Sequence, residues 1–314
     1  MDILLLIVGL ALILIGANYL TDGASALAQR LRMPEFLIGL TIVAIGTSMP
    51  EMVVSVLSSI NGQPDMAIGN VVGSNVFNIL LILGFCAILR PIGFTKNNIR
   101  VDIPMGVAAS FLLILLALDT LVGTDKTDSI SRIDGAIMLA LYIALMIYTI
   151  RTAERPTAES NNKKPMAVWL MALMIIGGLC GLIFGGELFL DKATAIARSM
   201  GVPDSVIAIT LVAGGTSLPE LASSAVSLIK GKADMALGNV IGSNIFNVLG
   251  ILGVASLINP LTMGNIIPFD LLVVLLSSVL IFLSAFTFRR HALDRTEGIL
   301  FLAFYGGYIY LLIQ

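Results

Sequence analysis

Two stretches of this 314-residue chain, AIGTSMPE ending on Glu51 and AGGTSLPE ending on Glu220, place a proline and a glutamate in the middle of long apolar runs. Near the centre of a bilayer an ionised carboxylate costs at least ~2.5 kcal/mol, so a buried one calls for a compensating cation and marks a site. At helical spacing Thr47, Glu51 and Ser55 share one face, as do Thr216, Glu220 and Ser224, with Ser48 and Ser217 beside them. Pro50 and Pro219 lack an N–H and clash with the preceding turn, which should break the helix and free carbonyls near Gly46 and Gly215. The carbonyls of Ala44 and Ala213, slightly earlier, are expected to point at a bound ion, since a half-helix end carries negative partial charge.

Downstream of each glutamate comes a second motif, DMAIGNVVGSNVFN and DMALGNVIGSNIFN. In it Asn70, Ser74 and Asn78 recur at intervals of four, mirrored by Asn239, Ser243 and Asn247, so each helix carries one polar stripe. Carboxylate, hydroxyl and amide oxygens are hard ligands, the set that Ca2+ and Na+ prefer; thiolate and imidazole ligands for softer metals are missing. His291 is the one histidine and lies in a basic turn, where a solvated side chain is expected. Cys86 and Cys180 fall in apolar runs and read as small buried hydrophobes. Asn75 and Asn244 fall off the stripe, where an amide serves either the site or a bond to a neighbouring helix. Asp65 and Asp234 read as helix N-caps, and Gly69, Gly73, Gly238 and Gly242 as faces for close helix packing. No HExxH or nucleophile signature is present, so no enzyme chemistry and no cofactor is expected.

The elements that position these groups must be membrane helices. Apolar residues make up 57% of the chain and charged ones 12%, with a mean hydropathy of +1.00, a balance that excludes a water-soluble domain of this length. The apolar runs are continuous rather than alternating, which excludes an outer-membrane barrel. Ten apolar segments can be read, centred near Ile13, Val43, Leu80, Leu112, Leu141, Ile176, Val212, Leu249, Leu276 and Phe304. The first opens with Asp2 rather than a basic stretch and should remain as a helix, not a cleaved signal. A polar linker over residues 152–165 divides the chain into residues 1–151 and 166–314, five segments each.

The halves are duplicates: the stretch from Pro34 matches that from Pro203 without a gap, with about 29 of 51 positions identical. An odd number of spans per half forces the second half to enter the membrane from the opposite side. The expected fold is therefore all-α, ten transmembrane helices as two inverted five-helix repeats. Placing both termini outside puts about 14 of the 18 Lys and Arg residues in cytoplasmic turns and the linker, leaving Lys126, Arg132, Lys192 and Arg198 outside, in accord with the positive-inside rule.

Through the paired GTS(M/L)PE and GSN(V/I)FN motifs the chain resembles the sodium/calcium exchanger branch of the calcium/cation antiporter superfamily. The resemblance implies a 5+5 inverted repeat with segments 2, 3, 7 and 8 around the ions and segments 1 and 6 sliding past them. It implies as ion ligands Glu51, Glu220, Thr47, Thr216, Ser48, Ser217, Ser74, Ser243, Asn78 and Asn247, with the carbonyls of Ala44 and Ala213. It further implies antiport of Na+ for Ca2+ by alternating access, electrogenic if Na+ carries the greater charge. Asparagine at Asn247, where K+-dependent relatives carry aspartate, favours the K+-independent type. Ca2+/H+ exchange is the alternative within transporters, and a cation channel the alternative outside them. The linker is too short for regulatory Ca2+-binding domains. The partners expected are the two ions and the lipid bilayer, without nucleic acid or an obligate protein, and short loops suit a prokaryotic cytoplasmic membrane.

Overall fold

The computed structural model describes residues 1–122, 128–153, 166–202, 213–264, 268–289 and 291–313. Backbone N–H and C=O groups in hydrocarbon must be satisfied within the segment, and the architecture follows: the described chain is almost wholly helical. In chain order the helices are α1 (Asp2–Leu31), α2 (Glu35–Thr47), α3 (Met49–Ile60), α4 (Pro64–Leu89), α5 (Asn98–Ala117), α6 (Arg132–Thr152), α7 (Val168–Ser199), α8 (Leu218–Ile229), α9 (Ala233–Ile258), α10 (Pro268–Ser284) and α11 (Arg295–Ile313). Six of them are long and apolar enough to cross a membrane, and a seventh crossing is possible if α2 and α3 form one bent span. Every described centre of the ten expected segments is helical, while Val212 lies outside the described residues.

The middle of the molecule is occupied by α4 and α9, whose apolar windows are 78% and 83% buried, against 28% for α1 and 22% for α7 at the periphery. A large apolar cluster runs through α4, α6, α9 and α10; a separate smaller one, including Ile13, Ala17, Leu20 and Leu182, sits where α1 and α7 meet. Glycines let those two backbones touch. A Cβ on Gly16 would lie 2.7 Å from the Gly178 carbonyl oxygen, and one on Gly9 would lie 2.8 Å from the Phe189 nitrogen. Gly9 meets residues 185–189 while Gly16 meets residues 178–182, so α1 and α7 run antiparallel.

Two short antiparallel ladders tie the halves together. β1 (Ile92–Gly93), after α4, pairs with β4 (Ala292–Leu293), just before α11. β2 (Ser129–Ile130), just before α6, pairs with β3 (Leu261–Thr262), after α9. Each half thus gives one strand to each ladder. The helices that follow β2 and β4 begin alike: Ser131 and Asp134 form a capping box on α6, and Asp294 accepts from the Glu297 N–H while Glu297 accepts from the Asp294 N–H on α11.

Several local expectations need correction. Asp65 and Asp234 are not N-caps; Gln63 and Lys232 hold those positions, and the aspartates sit in the first turn, where negative charge still complements the helix dipole. Cys86 is buried, but Cys180 is exposed on α7, because a peripheral membrane helix turns much of its apolar surface to lipid. Gly238 and Gly242 do provide close approach: a Cβ on either would fall 2.2 or 2.3 Å from the carbonyl oxygens of Phe36 and Leu40 on α2. His291 is exposed in the turn before β4, as expected.

Candidate functional site

Both motif prolines sit in the first turn of the helix that carries the glutamate, the position where a missing N–H costs nothing. The chain bends by 48° between α2 and α3, at Ser48, whose ψ of 11° leaves the helical range. Ser217 has the same break, with ψ of 8°, between the helical turn Ala213–Gly215 and α8. The breaks turn Ser48 and Ser217 across the molecule. Ser48 Oγ donates to Glu220 Oε1 at 2.7 Å, and Ser217 Oγ donates to Glu51 Oε1 at 2.9 Å, so each glutamate is held by the serine of the opposite half.

α4 and α9 complete the enclosure. Ser74 Oγ donates to Glu51 Oε1 at 3.3 Å, and Thr47 Oγ1 donates to Asn239 Oδ1 at 3.2 Å. Asn70 Nδ2 donates to the Glu51 carbonyl at 3.1 Å and to Ser55 Oγ at 3.0 Å; Asn239 Nδ2 donates to Ser223 and Ser224 Oγ, both at 2.9 Å. The amide nitrogens of Asn70 and Asn239 therefore hold α3 and α8 in place. Both α4 and α9 widen into π-helix as they pass the site, over Phe77–Leu83 and Phe246–Ile251, and Asn78 and Asn247 are the second residues of those stretches. Such widening recurs at functional sites and carries no sequence signal of the kind that proline provides.

Thr47, Ser48, Glu51, Ser74, Asn78, Ser217, Glu220, Ser243 and Asn247 are all 0% exposed, a seal no isolated carboxylate pair would tolerate without compensation. Thr216 is partly buried, with Oγ1 enclosed. Ala44 is buried, but its carbonyl is not free: it accepts from the Ser48 N–H at 3.0 Å and from Thr47 Oγ1 at 3.3 Å, since the break falls after Thr47 rather than before it. Ala213 opens its helical turn, and its side chain lies outside the described residues.

The polar bookkeeping is one-sided. Among the described residues, eight buried side-chain atoms lack a hydrogen-bond partner, and six belong to the expected ligands: Glu51 Oε2, Glu220 Oε2, Asn78 Oδ1, Asn247 Oδ1, Ser243 Oγ and Thr216 Oγ1. All six are oxygens, contributed by both halves. Native interiors leave few such atoms unpaired, and six of them together, two being carboxylate oxygens, make a donor set of the kind hard cations take. No described hydrogen bond or ion pair to either carboxylate comes from Lys or Arg, and no cluster of three or more His, Cys, Asp or Glu exists among the described residues, which leaves two carboxylates and neutral oxygens as the donor set.

Comparisons with known proteins place the chain in a family. A family model described as sodium/calcium exchanger protein matches residues 1–151 and 170–314. The chain is 35% identical to a putative antiporter, CaxA, of Alkalimonas amylolytica over 98% of its own length and 97% of the relative. It is 30% identical to the sodium/calcium exchanger MaX1 of Methanosarcina acetivorans, over 99% and 98% of the two chains. Among solved structures it superimposes on the sodium-calcium exchanger NCX_Mj, crystals of which were soaked without Na+ and Ca2+, with a TM-score of 0.85, 34% identity, and coverage of 99% of this chain and 98% of that one. An oxygen-lined pair of buried glutamates, a duplicated motif and a shared fold over nearly the whole length make one case: this chain is a multi-pass membrane transporter, not an enzyme, and belongs to the sodium/calcium exchanger protein family.

Proposed function

We propose that the chain exchanges Na+ for Ca2+ across a prokaryotic cytoplasmic membrane by alternating access, as ten transmembrane helices in two inverted repeats: residues 1–151 and 166–314. The termini lie outside and the linker of residues 152–165 inside. The antiparallel course of α1 and α7, and ladders that join the turn after α4 to that before α11 and the turn before α6 to that after α9, support the inversion. Each ladder joins turns that the ten-span topology puts on one side.

The observation that carries the functional reading is the set of six partnerless buried oxygens around two sealed carboxylates. The ions are cargo and bind Glu51, Glu220, Thr47, Thr216, Ser48, Ser217, Ser74, Ser243, Asn78 and Asn247, with the backbone oxygen of Ala213 and, once Thr47 Oγ1 turns from it to the ion, that of Ala44. Two carboxylates give a formal charge of −2, matched by one Ca2+ or by several Na+ in competition. Competition for one site makes the exchange obligatory, because a loaded site compensates the buried charge and an empty one opposes the transition. Asparagine at Asn247 supports K+ independence, and a Na+ load exceeding two charges makes the cycle electrogenic.

Vesicles containing the purified protein test this. Ca2+ uptake should follow an outward Na+ gradient, be unchanged by K+, and respond to membrane potential. Uptake that follows a pH gradient and ignores Na+ would establish Ca2+/H+ exchange instead, and non-saturable flux without a counter-ion would establish a channel.

A further inference from the structure

Four asparagines at the crossing of α4 and α9 form a two-fold network, in which Asn75 and Asn244 bond reciprocally and Asn247 and Asn78 each bond to one of them. Asn75 Nδ2 donates to the Asn244 backbone carbonyl at 3.3 Å, and Asn244 Nδ2 donates to the Asn75 backbone carbonyl at 3.1 Å. The remaining amide oxygens face the other pair: Asn247 Nδ2 donates to Asn75 Oδ1 at 3.1 Å, and Asn78 Nδ2 donates to Asn244 Oδ1 at 3.0 Å. Asn78 Oδ1 and Asn247 Oδ1 are then left without partners at the ion site. All four side chains are at most 7% exposed, so water does not compete for these bonds.

An amide can be turned over, exchanging its oxygen for an NH2 that repels a cation, and little in its shape opposes the turn. Here the turn is forbidden by atoms that cannot donate. A backbone carbonyl only accepts, so Asn75 must present nitrogen to the Asn244 carbonyl. Its oxygen must then face Asn247, which must answer with nitrogen, and the Asn247 oxygen is driven to the opposite side. The same chain of reasoning runs from the Asn75 carbonyl through Asn244 to Asn78.

We infer that Asn75 and Asn244 are positioning residues for transport: each reads the fixed polarity of a backbone carbonyl in the other half and passes it on, so that Asn247 and Asn78 offer oxygen, never nitrogen, to the ion. The inference rests on the proposed ion site and assigns a role to two residues outside the ligand set. It also explains why the network crosses between halves, since each ligand amide is oriented by the repeat it does not belong to.

A carboxylate has oxygen on both arms and needs no orienting partner, which supplies the test. Ca2+ KM and maximal rate are measured in vesicles for Asn75→Ala, Asn247→Asp and the double variant, with thermal stability measured alongside. Asn75→Ala should raise the Ca2+ KM about tenfold, the size of one lost charge-assisted contact. In the Asn247→Asp background the same substitution should change KM by less than about twofold. Equal costs in both backgrounds, or no cost in the native one, would overturn the inference and leave Asn75 a packing residue. The related cycle with Asn244→Ala and Asn78→Asp repeats the test should the first variant fail to fold. Asn247→Leu separates the two readings: an unchanged Ca2+ KM there overturns the ion site itself, whatever Asn75 does.

Discussion

Replacing either glutamate by glutamine should move transport and stability in opposite directions. Glu51 and Glu220 are each 0% exposed, each spends Oε1 on a serine of the other half, and each leaves Oε2 without a partner. A unit charge about 4 Å from Ca2+ contributes roughly 8 kcal/mol at an effective dielectric of about 20, twice the value for two unit charges. Part of that offsets carboxylate desolvation, and removal of one partner from a buried ion pair typically costs about 3–5 kcal/mol. Ca2+ affinity should therefore fall by roughly two to nearly four orders of magnitude for Glu51→Gln. The two variants should fall within about tenfold of each other, because each glutamate is fully buried and held at Oε1 by the serine of the opposite half. Without ions the sign reverses, since glutamine removes an uncompensated buried charge at nearly constant volume, and the thermal midpoint of the ion-free protein should rise. The assays are radiolabelled Ca2+ uptake in vesicles and thermal unfolding in detergent with and without Ca2+. Na+-driven uptake with an unaltered Ca2+ KM in Glu51→Gln would falsify the site, and an ion-free midpoint that drops would refute the account of uncompensated charge.

Other expectations concern the frame around the site. Gly16→Ala and Gly178→Ala each push a methyl to within 3 Å of a backbone atom that cannot move aside, so each should destabilise the protein by about 1–3 kcal/mol in thermal unfolding. Lys230 pairs with Asp22 of α1 at 2.6 Å and Lys232 with Glu35 of α2 at 2.5 Å, all four side chains partly solvent-exposed. Lys230→Gln should cost no more than about 1 kcal/mol, a difference that salt should shrink. In a background lacking Cys86 and Cys180, a cysteine at position 126 should react with an impermeant thiol reagent in intact cells, and one at position 163 only after permeabilisation. The reverse pattern would invert the assigned topology.

Much of the site was readable because its residues break rules that membrane helices otherwise keep. Glutamate, proline and asparagine are each conspicuous among Leu, Ile and Val, and their recurrence at one offset already pairs Glu51 with Glu220 in the sequence. The π-helical turns at Phe77 and Phe246 were not legible, since they depend on a shift of backbone hydrogen bonds that no side chain in the run announces. The oxygen of Ala44 was expected to point at a bound ion from a half-helix end, but the break falls after Thr47, so Ala44 keeps the N–H of Ser48. Asn75 and Asn244 fell off the stripe drawn at intervals of four, and their role depends on a helix crossing, which spacing within one helix does not encode. The strand ladders were missed for a related reason: two-residue strands such as Ile92–Gly93 are too short for a period.

The ladders and the crossed serines bear on how the chain is made. When residues 1–151 have left the ribosome, β1 and β2 have no partners, Glu51 lacks the hydroxyl of Ser217, and Asn78 lacks the carbonyl oxygen of the Asn244 side chain. The first half must wait in the bilayer as an inserted but unfinished structure until the second half arrives. Neither half is then a folding unit, and a shortened chain that stops at the linker should be degraded unless the missing half is supplied as a second polypeptide.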